Sequence, residues 1–255
     1  DPVLIRIGIF EIRYYGVVYA ISFLLLYLYL NLLAKQKKIK LNEEEISELV
    51  VYLIIGVVFG ARIFYVLFYN LKFYSHNILD IFMLWKGGMS FHGGLIGATI
   101  AAFAFCRKNK INFYEIADNI AIPACVFLML GRIGNFINGE LYGRVTEWWW
   151  AVKFKGVEGF RHPSQIYESF KNLIIFSILW FFKDKKKRDG FLFWLFIALY
   201  GLLRFFVEFF REPDEQLGFI VFNLSMGQLL SIVMFLIGAA MFIKLNNKNN
   251  LKNTN

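Results

Sequence analysis

The chain has 255 residues, of which 58% are hydrophobic and 19% aromatic, and its formal net charge is +9. Soluble domains average about 45–50% apolar residues, and the excess here sits in long runs, which excludes an ordinary soluble globule. The lysines and arginines stand in short clusters between those runs, so they read as membrane-topology signals rather than as a nucleic-acid surface.

A membrane-spanning helix needs about 20 largely apolar residues. In chain order the candidates are Tyr14–Ala34, Ser47–Tyr69, Met89–Arg107, Glu115–Ile137, Gln165–Phe182, Gly190–Phe210 and Asn223–Lys244. The first run is too long, and lacks the small-residue cleavage site, for a removable signal peptide. The third and fourth are interrupted by glycines and polar residues, which need protein or water around them rather than lipid. The loops after the first, third and fifth runs are basic, and so is the tail after the seventh. Basic loops stay in the cytoplasm, so the expected topology is N-out, C-in.

The expected fold is therefore all-α: a polytopic membrane protein with about seven transmembrane helices. Residues 1–245 form one transmembrane domain. Within it, residues 138–162 make a small extracytoplasmic cap containing Trp148, Trp149 and Trp150, aromatics suited to the lipid–water interface. Residues 246–255, rich in Asn and Lys, read as a disordered tail. Cys106 and Cys125 both lie in apolar runs and suggest neither a disulfide nor a metal site.

Charges inside such runs are costly, roughly 2.5–3.5 kcal/mol each on insertion scales, and usually face a cavity. Arg62, Arg132, Arg204 and Glu208 stand out, with His92 between Phe91 and Gly93 and with Asn135 and Asn138 beside Arg132. Tyr200, Arg204, Glu208 and Arg211 recur at helical steps and would share one face. Gly93 and Gly97 form a small-xxx-small pair that lets a second helix pack close beside His92. Each residue alone has a plain alternative: Arg204 and Glu208 as a structural ion pair, Arg62 as a snorkelling or structurally paired side chain, His92 as a packing or hydrogen-bonding histidine. Together they point to an outward-facing pocket in which two or three arginines hold an anionic group such as a lipid phosphate.

Five stretches carry a resemblance to a known family. Gly87–Gly97 (GGMSFHGGLIG), Gly131–Arg144 (GRIGNFINGELYGR), His162–Glu168 (HPSQIYE), Tyr200–Gly201 with Arg204–Asp214, and Ser225–Gln228 (SMGQ) resemble, in order and spacing, the motifs of the prolipoprotein diacylglyceryl transferases. The segment between Arg144 and His162 is shorter than in many members, and Tyr14 stands where a Trp is expected.

The resemblance implies a bacterial inner-membrane enzyme that transfers the diacylglyceryl group of phosphatidylglycerol to the lipobox cysteine of prolipoproteins, releasing glycerol 1-phosphate. Its partners would be phosphatidylglycerol, prolipoprotein signal peptides and the bilayer, with no cofactor, no metal and no nucleic acid. Carried over residue by residue, it implies phospholipid binding by Arg132, Asn135, Glu140, Gly143 and Tyr200. It implies catalytic roles for His92, Arg204, Glu208 and Tyr15. Glu140 and Arg144, four apart, would brace the signature loop. The thiol needs a base, because at a pKa near 8.5 little thiolate exists at neutral pH. Histidine titrates in the right range, which favours His92; Arg204 with Glu208 is the other assignment the sequence allows.

Overall fold

A computed structural model describes residues 3–7, 10–185, 188–212, 219–221 and 224–250, with side chains at 16–185, 188–212 and 224–247. Asp1–Pro2, Asp214 and residues 251–255 lie outside the described residues. The chain folds as two compact units: Val3–Arg13 with Ala20–Ile116, and Tyr14–Tyr19 with the chain from Ala117 on.

The first unit opens with an antiparallel hairpin of β1 (Val3–Ile7) and β2 (Phe10–Arg13), and the chain then enters α1 (Tyr14–Lys35). Leu26, Leu30 and Leu33 of α1 are buried, while Leu24, Leu28 and Leu32 are exposed. A helix apolar all round suits lipid rather than water. Helix α2 (Glu43–Phe68) starts at a capping box: the Asn42 side chain accepts from Glu45 N at 2.8 Å, and the Glu45 carboxylate accepts from Asn42 N at 2.9 Å. A short helix α3 (Leu71–His76) and two 3-10 turns (Ile78–Phe82 and Leu84–Lys86) lead to α4 (Phe91–Asn109), whose N-cap is Ser90.

The close pair in this unit is α2 against α4. A Cβ on Gly97 would strike the carbonyl of Gly56 and the Cα of Gly60, and one on Gly93 would strike the Gly60 carbonyl. Two glycines on each helix therefore let the backbones touch, as the Gly93–Gly97 spacing suggests.

Arg62 clamps the segment between α3 and α4. Its guanidinium donates to the carbonyls of Ile81, Gly87, Gly88, Asp80 and Met83. All five N–H donors of an arginine are thereby used on backbone.

The second unit contains α5 from Ala117 on (the helix is Phe113–Asn138), α6 (Ser164–Phe182), α7 (Phe191–Val207) and α8 (Met226–Asn250). Helix α7 packs on α6 and α8. Gly201 admits the α8 backbone at Ser231 and Phe235, and Gly238 admits Ala198. The fully buried Asp118 of α5 accepts from Gly190 N at 3.0 Å and Phe193 N at 2.8 Å. A carboxylate thus satisfies the free N–H groups that start α7.

Three expectations change in detail. The all-α reading holds for the bulk, but β1–β2 and a second hairpin, β3 (Phe219–Val221) with β4 (Leu224–Ser225), are added. Helix α7 ends at Val207, and Glu208–Phe210 form a 3-10 turn. Arg211 is then extended and pairs with Gly143, so it leaves the face shared by Tyr200 and Arg204. Helix α8 continues through Asn250, past the expected end at Lys244. Among the described residues, five helices are long and apolar enough to cross a membrane: Gly16–Lys35, Glu43–Phe68, Phe113–Asn138, Phe191–Phe210 and Met226–Asn247. Cys106 and Cys125 are buried free thiols.

Gly97→Ala is expected to destabilise the protein by about 1–3 kcal/mol through overpacking. Gly94→Ala, whose new methyl would meet neighbours at 3.6 Å and beyond, should change stability by less than about 0.5 kcal/mol. Thermal unfolding of the two variants in detergent compares them, and equal stability would contradict the glycine contact.

Candidate functional site

The second unit gathers charge at the start of α6. Glu168 is buried, with 3% of its side chain exposed, and three cations surround it. Lys171, one helical turn on, places Nζ 2.8 Å from Oε2. Arg204 of α7 places Nη1 2.8 Å from Oε1. Arg132 of α5 is looser, with Nε 3.9 Å from Oε2. Arg204 also pairs through Nη2 with Glu208, one turn further along its own chain segment. Ion pairs this deeply placed are needed because an unpaired buried charge costs about 3–5 kcal/mol.

Glu208 is held from the other side by α8. The Ser225 hydroxyl donates to Glu208 Oε1 at 2.9 Å and accepts from Gln228 N at 3.2 Å. Gln228 returns a bond, accepting from Ser225 N at 3.0 Å. The Ser-Met-Gly-Gln stretch is thus a capping box that opens α8 while anchoring a carboxylate. Gly227 has no side chain because a Cβ there would strike the Glu208 carboxylate.

Backbone contacts hold the loop after α5. Gly139 and Leu141 take positive φ, at 69° and 56°. The Gln165 amide donates to the Glu140 carbonyl at 2.7 Å, and the Ser164 hydroxyl donates to the Leu141 carbonyl at 3.0 Å. Gly143 N donates to the His162 carbonyl at 2.9 Å, and His162 N donates to the Arg144 carbonyl at 3.0 Å. A Cβ on Gly143 would collide with the Phe210 carbonyl and with His162. The Arg144 side chain donates to the Arg211 carbonyl at 2.9 Å. His162 itself is buried, 3.1 Å from the Tyr167 hydroxyl through Nδ1, and burial pushes its imidazole pKa down.

The sequence-selected residues fall into groups. Arg132, Arg204 and Glu208 meet in the charge cluster. Asn135, buried, accepts from Arg132 Nη1 at 3.5 Å, the long limit of a hydrogen bond. Tyr200 lends its ring face to Lys171, whose Nζ lies 3.7 Å from the centroid, a cation–π contact. Glu140 accepts from the Asn138 amide at 3.0 Å, and Gly143 serves a close backbone crossing. His92 stands exposed in the first turn of α4, in the other unit, with its ring 6.0 Å from that of Phe91. Tyr15 lies in the first turn of α1; its side chain is outside the described ones.

Two arginines, not three, carry the cluster: Arg62 spends its donors on backbone. Sequence reasoning gave no role to Glu168, Ser225 and Gln228, which it met only as members of the family-like stretches, and did not single out Lys171. A signal for Glu168 and Lys171 was present. Both are charges inside the apolar run Gln165–Phe182, and the insertion-cost argument that selected Arg132 applies equally to them.

This arrangement sits in a chain with clear relatives. The family model for prolipoprotein diacylglyceryl transferase matches residues 2–244. A protein of Geobacter sulfurreducens is 47% identical over 245 residues, covering 95% of this chain and 94% of that protein. One of Ehrlichia ruminantium is 44% identical, covering 93% and 94%. One of Rickettsia rickettsii is 44% identical, covering 97% and 98%. All three are named phosphatidylglycerol--prolipoprotein diacylglyceryl transferase. With the match running nearly end to end, the chain belongs to the prolipoprotein diacylglyceryl transferase family.

Proposed function

We propose that this protein transfers the diacylglyceryl group of phosphatidylglycerol to the lipobox cysteine thiol of prolipoproteins. The observation that carries the reading is a contrast between arginines. Arg62 uses all five donors on carbonyls. Arg132 makes one long hydrogen bond and one 3.9 Å ion contact. Arg204 is already ion-paired to Glu168 and Glu208 and lends the cluster its charge. The guanidinium donors that Arg132 leaves open beside it suit phosphate oxygens, which they engage in pairs. The names of the relatives supply the lipid and the acceptor.

The chemistry follows from the charges. The cysteine sulfur attacks a glycerol carbon, its bond to the phosphate oxygen breaks, and a thioether forms. Glycerol 1-phosphate leaves with the electron pair. The phosphodiester begins with one negative charge and ends as a monoester carrying more, so Arg132 and Arg204 stabilise the transition state more than the bound lipid. Asn135 orients Arg132. The thiol proton goes to His92 in this reading. Glu208, the other candidate, already holds Arg204 on one oxygen and Ser225 on the other.

The enzyme acts in the bacterial inner membrane with seven spans, N-out and C-in. Two helices join the five most apolar ones to make that number. Helices α4 and α6 have 19 residues each, about 28 Å at 1.5 Å per residue, close to the roughly 30 Å of a hydrocarbon core. The basic loops orient them.

Purified protein mixed with phosphatidylglycerol and a lipobox peptide is expected to add a diacylglyceryl mass to the peptide and release an equal amount of glycerol phosphate. Arg132→Ala should lower kcat/KM by about 10²–10³ with the protein still folded. Transfer by wild-type protein that is absent across anionic lipids, or undiminished in Arg132→Ala, would remove the reading.

His92→Ala should lower kcat by about 10²–10⁴ if it accepts the proton. An unchanged kcat in folded His92→Ala would move the role to Arg204 and Glu208.

A further inference from the structure

Glu168 is one carboxylate shared by three cations, and the third of them is not needed to neutralise it. Lys171 and Arg204 each approach to 2.8 Å, and Arg132 stands at 3.9 Å. Glu208 is the other anion these cations reach within 4 Å among the described residues. Three positive charges therefore meet two negative ones, and the cluster keeps one positive charge in excess.

Lys171 is the deepest of the three. Its side chain is 2% exposed, against 11% for Arg204 and 19% for Arg132. Its ammonium is occupied on one side by Glu168 and on another by the Tyr200 ring, so it is not itself placed to grip a ligand. Its effect passes through Glu168. By taking Glu168 Oε2, it leaves Arg132 loosely held on the same oxygen with its donors open. An apolar residue at this position would leave Glu168 to draw both arginines in, and the cluster would be neutral.

Resting on the reading of this cluster as the phosphatidylglycerol site, we propose that Lys171 is a positioning residue that holds the cluster at one excess positive charge and thereby matches it to a singly charged lipid phosphodiester. Charge matching of this kind acts on lipid affinity first, because it is present before the reaction begins. It also sets selectivity. A phosphomonoester lipid such as phosphatidate is nearly doubly charged at neutral pH and should gain most from a cluster carrying two excess charges.

The test uses the full chain in detergent, with the mole fraction of phosphatidylglycerol varied and a thiol peptide as acceptor. Lys171→Met should raise KM for phosphatidylglycerol about tenfold or more, with a smaller fall in kcat. Lys171→Arg keeps the charge and should stay within about threefold of wild type. Glu168→Gln, with two excess charges, should make phosphatidate a stronger competitor relative to phosphatidylglycerol. Adding Lys171→Met to Glu168→Gln returns the excess to one and should reverse that preference while lowering KM from its value in Lys171→Met. A purely structural lysine would alter the folded fraction without making lipid selectivity follow the charge count.

The proposal is overturned if folded Lys171→Met keeps its KM within about twofold, or if inhibition by phosphatidate ignores the charge count across the set. If Lys171→Met does not fold, the Glu168→Gln/Lys171→Met double variant, which buries neither charge of that pair, decides the same question by its KM and its phosphatidate preference. Wild-type protein that transfers nothing removes the functional reading and this proposal with it. Wild-type transfer with a charge-blind variant set removes the proposal alone.

Discussion

A carboxylate sunk in an apolar helix has to be matched by cations, and most of the charge cluster follows from meeting that demand at Glu168. Desolvation of an ion costs several kcal/mol, and only good geometry offsets it. Lys171 comes from the same helix, Arg204 from α7 and Arg132 from α5. Arg204 brings a second acid, Glu208, and Glu208 brings the start of α8 through Ser225. Four helices are thereby tied by one chain of polar contacts, each of which is expensive to break alone. The tie also fixes where the guanidinium groups stand, so the stability of the cluster and the placement of its charges have one origin.

The motif residues act largely by holding backbone in place around that chain. Gln165 and Ser164 secure the carbonyls of Glu140 and Leu141. Gly143 permits the crossing with Phe210 and His162, and Gly227 leaves room for the Glu208 carboxylate. None of these needs to touch a substrate to matter. A side chain at Gly143 or Gly227 would have to displace a carbonyl or a charged group, and with it the placement of Arg132 or Arg204. A motif that reads as a binding site in sequence can therefore serve as a scaffold in space.

Much of this was legible in the sequence, for identifiable reasons. Each of the seven apolar runs matches a long helix, because apolar segments of that length leave few alternatives. The Gly93–Gly97 spacing gave the α2–α4 contact, and arginines in apolar runs gave Arg132 and Arg204. The β1–β2 hairpin and the turns between Leu71 and Lys86 were missed, since short mixed segments have no period long enough to recognise. Arg62 looked like Arg132 in sequence; only the five carbonyls around it separate a clamp from an open cation. Arg211 was misplaced because helical spacing was extended past Val207, where the backbone tightens into a 3-10 turn and then straightens. Glu168 and Lys171 were readable by the insertion-cost argument that selected Arg132.

That pair also explains why α6 is absent from the most membrane-like helices. Its first half carries Ser164, Gln165, Glu168, Ser169, Lys171 and Asn172 buried, and its second half buries Ile175 and Leu179. The polar half cannot face lipid, where unsatisfied groups cost several kcal/mol each. Protein must cover it, and α7, with Arg204 and Tyr200, supplies part of that cover. Its hydropathy falls because the helix is occupied by the site. A measure built on composition alone therefore undervalues the helix on which the charge cluster depends, and the same charges that lower its apolar character become tolerable only once their partners on α5 and α7 are in place.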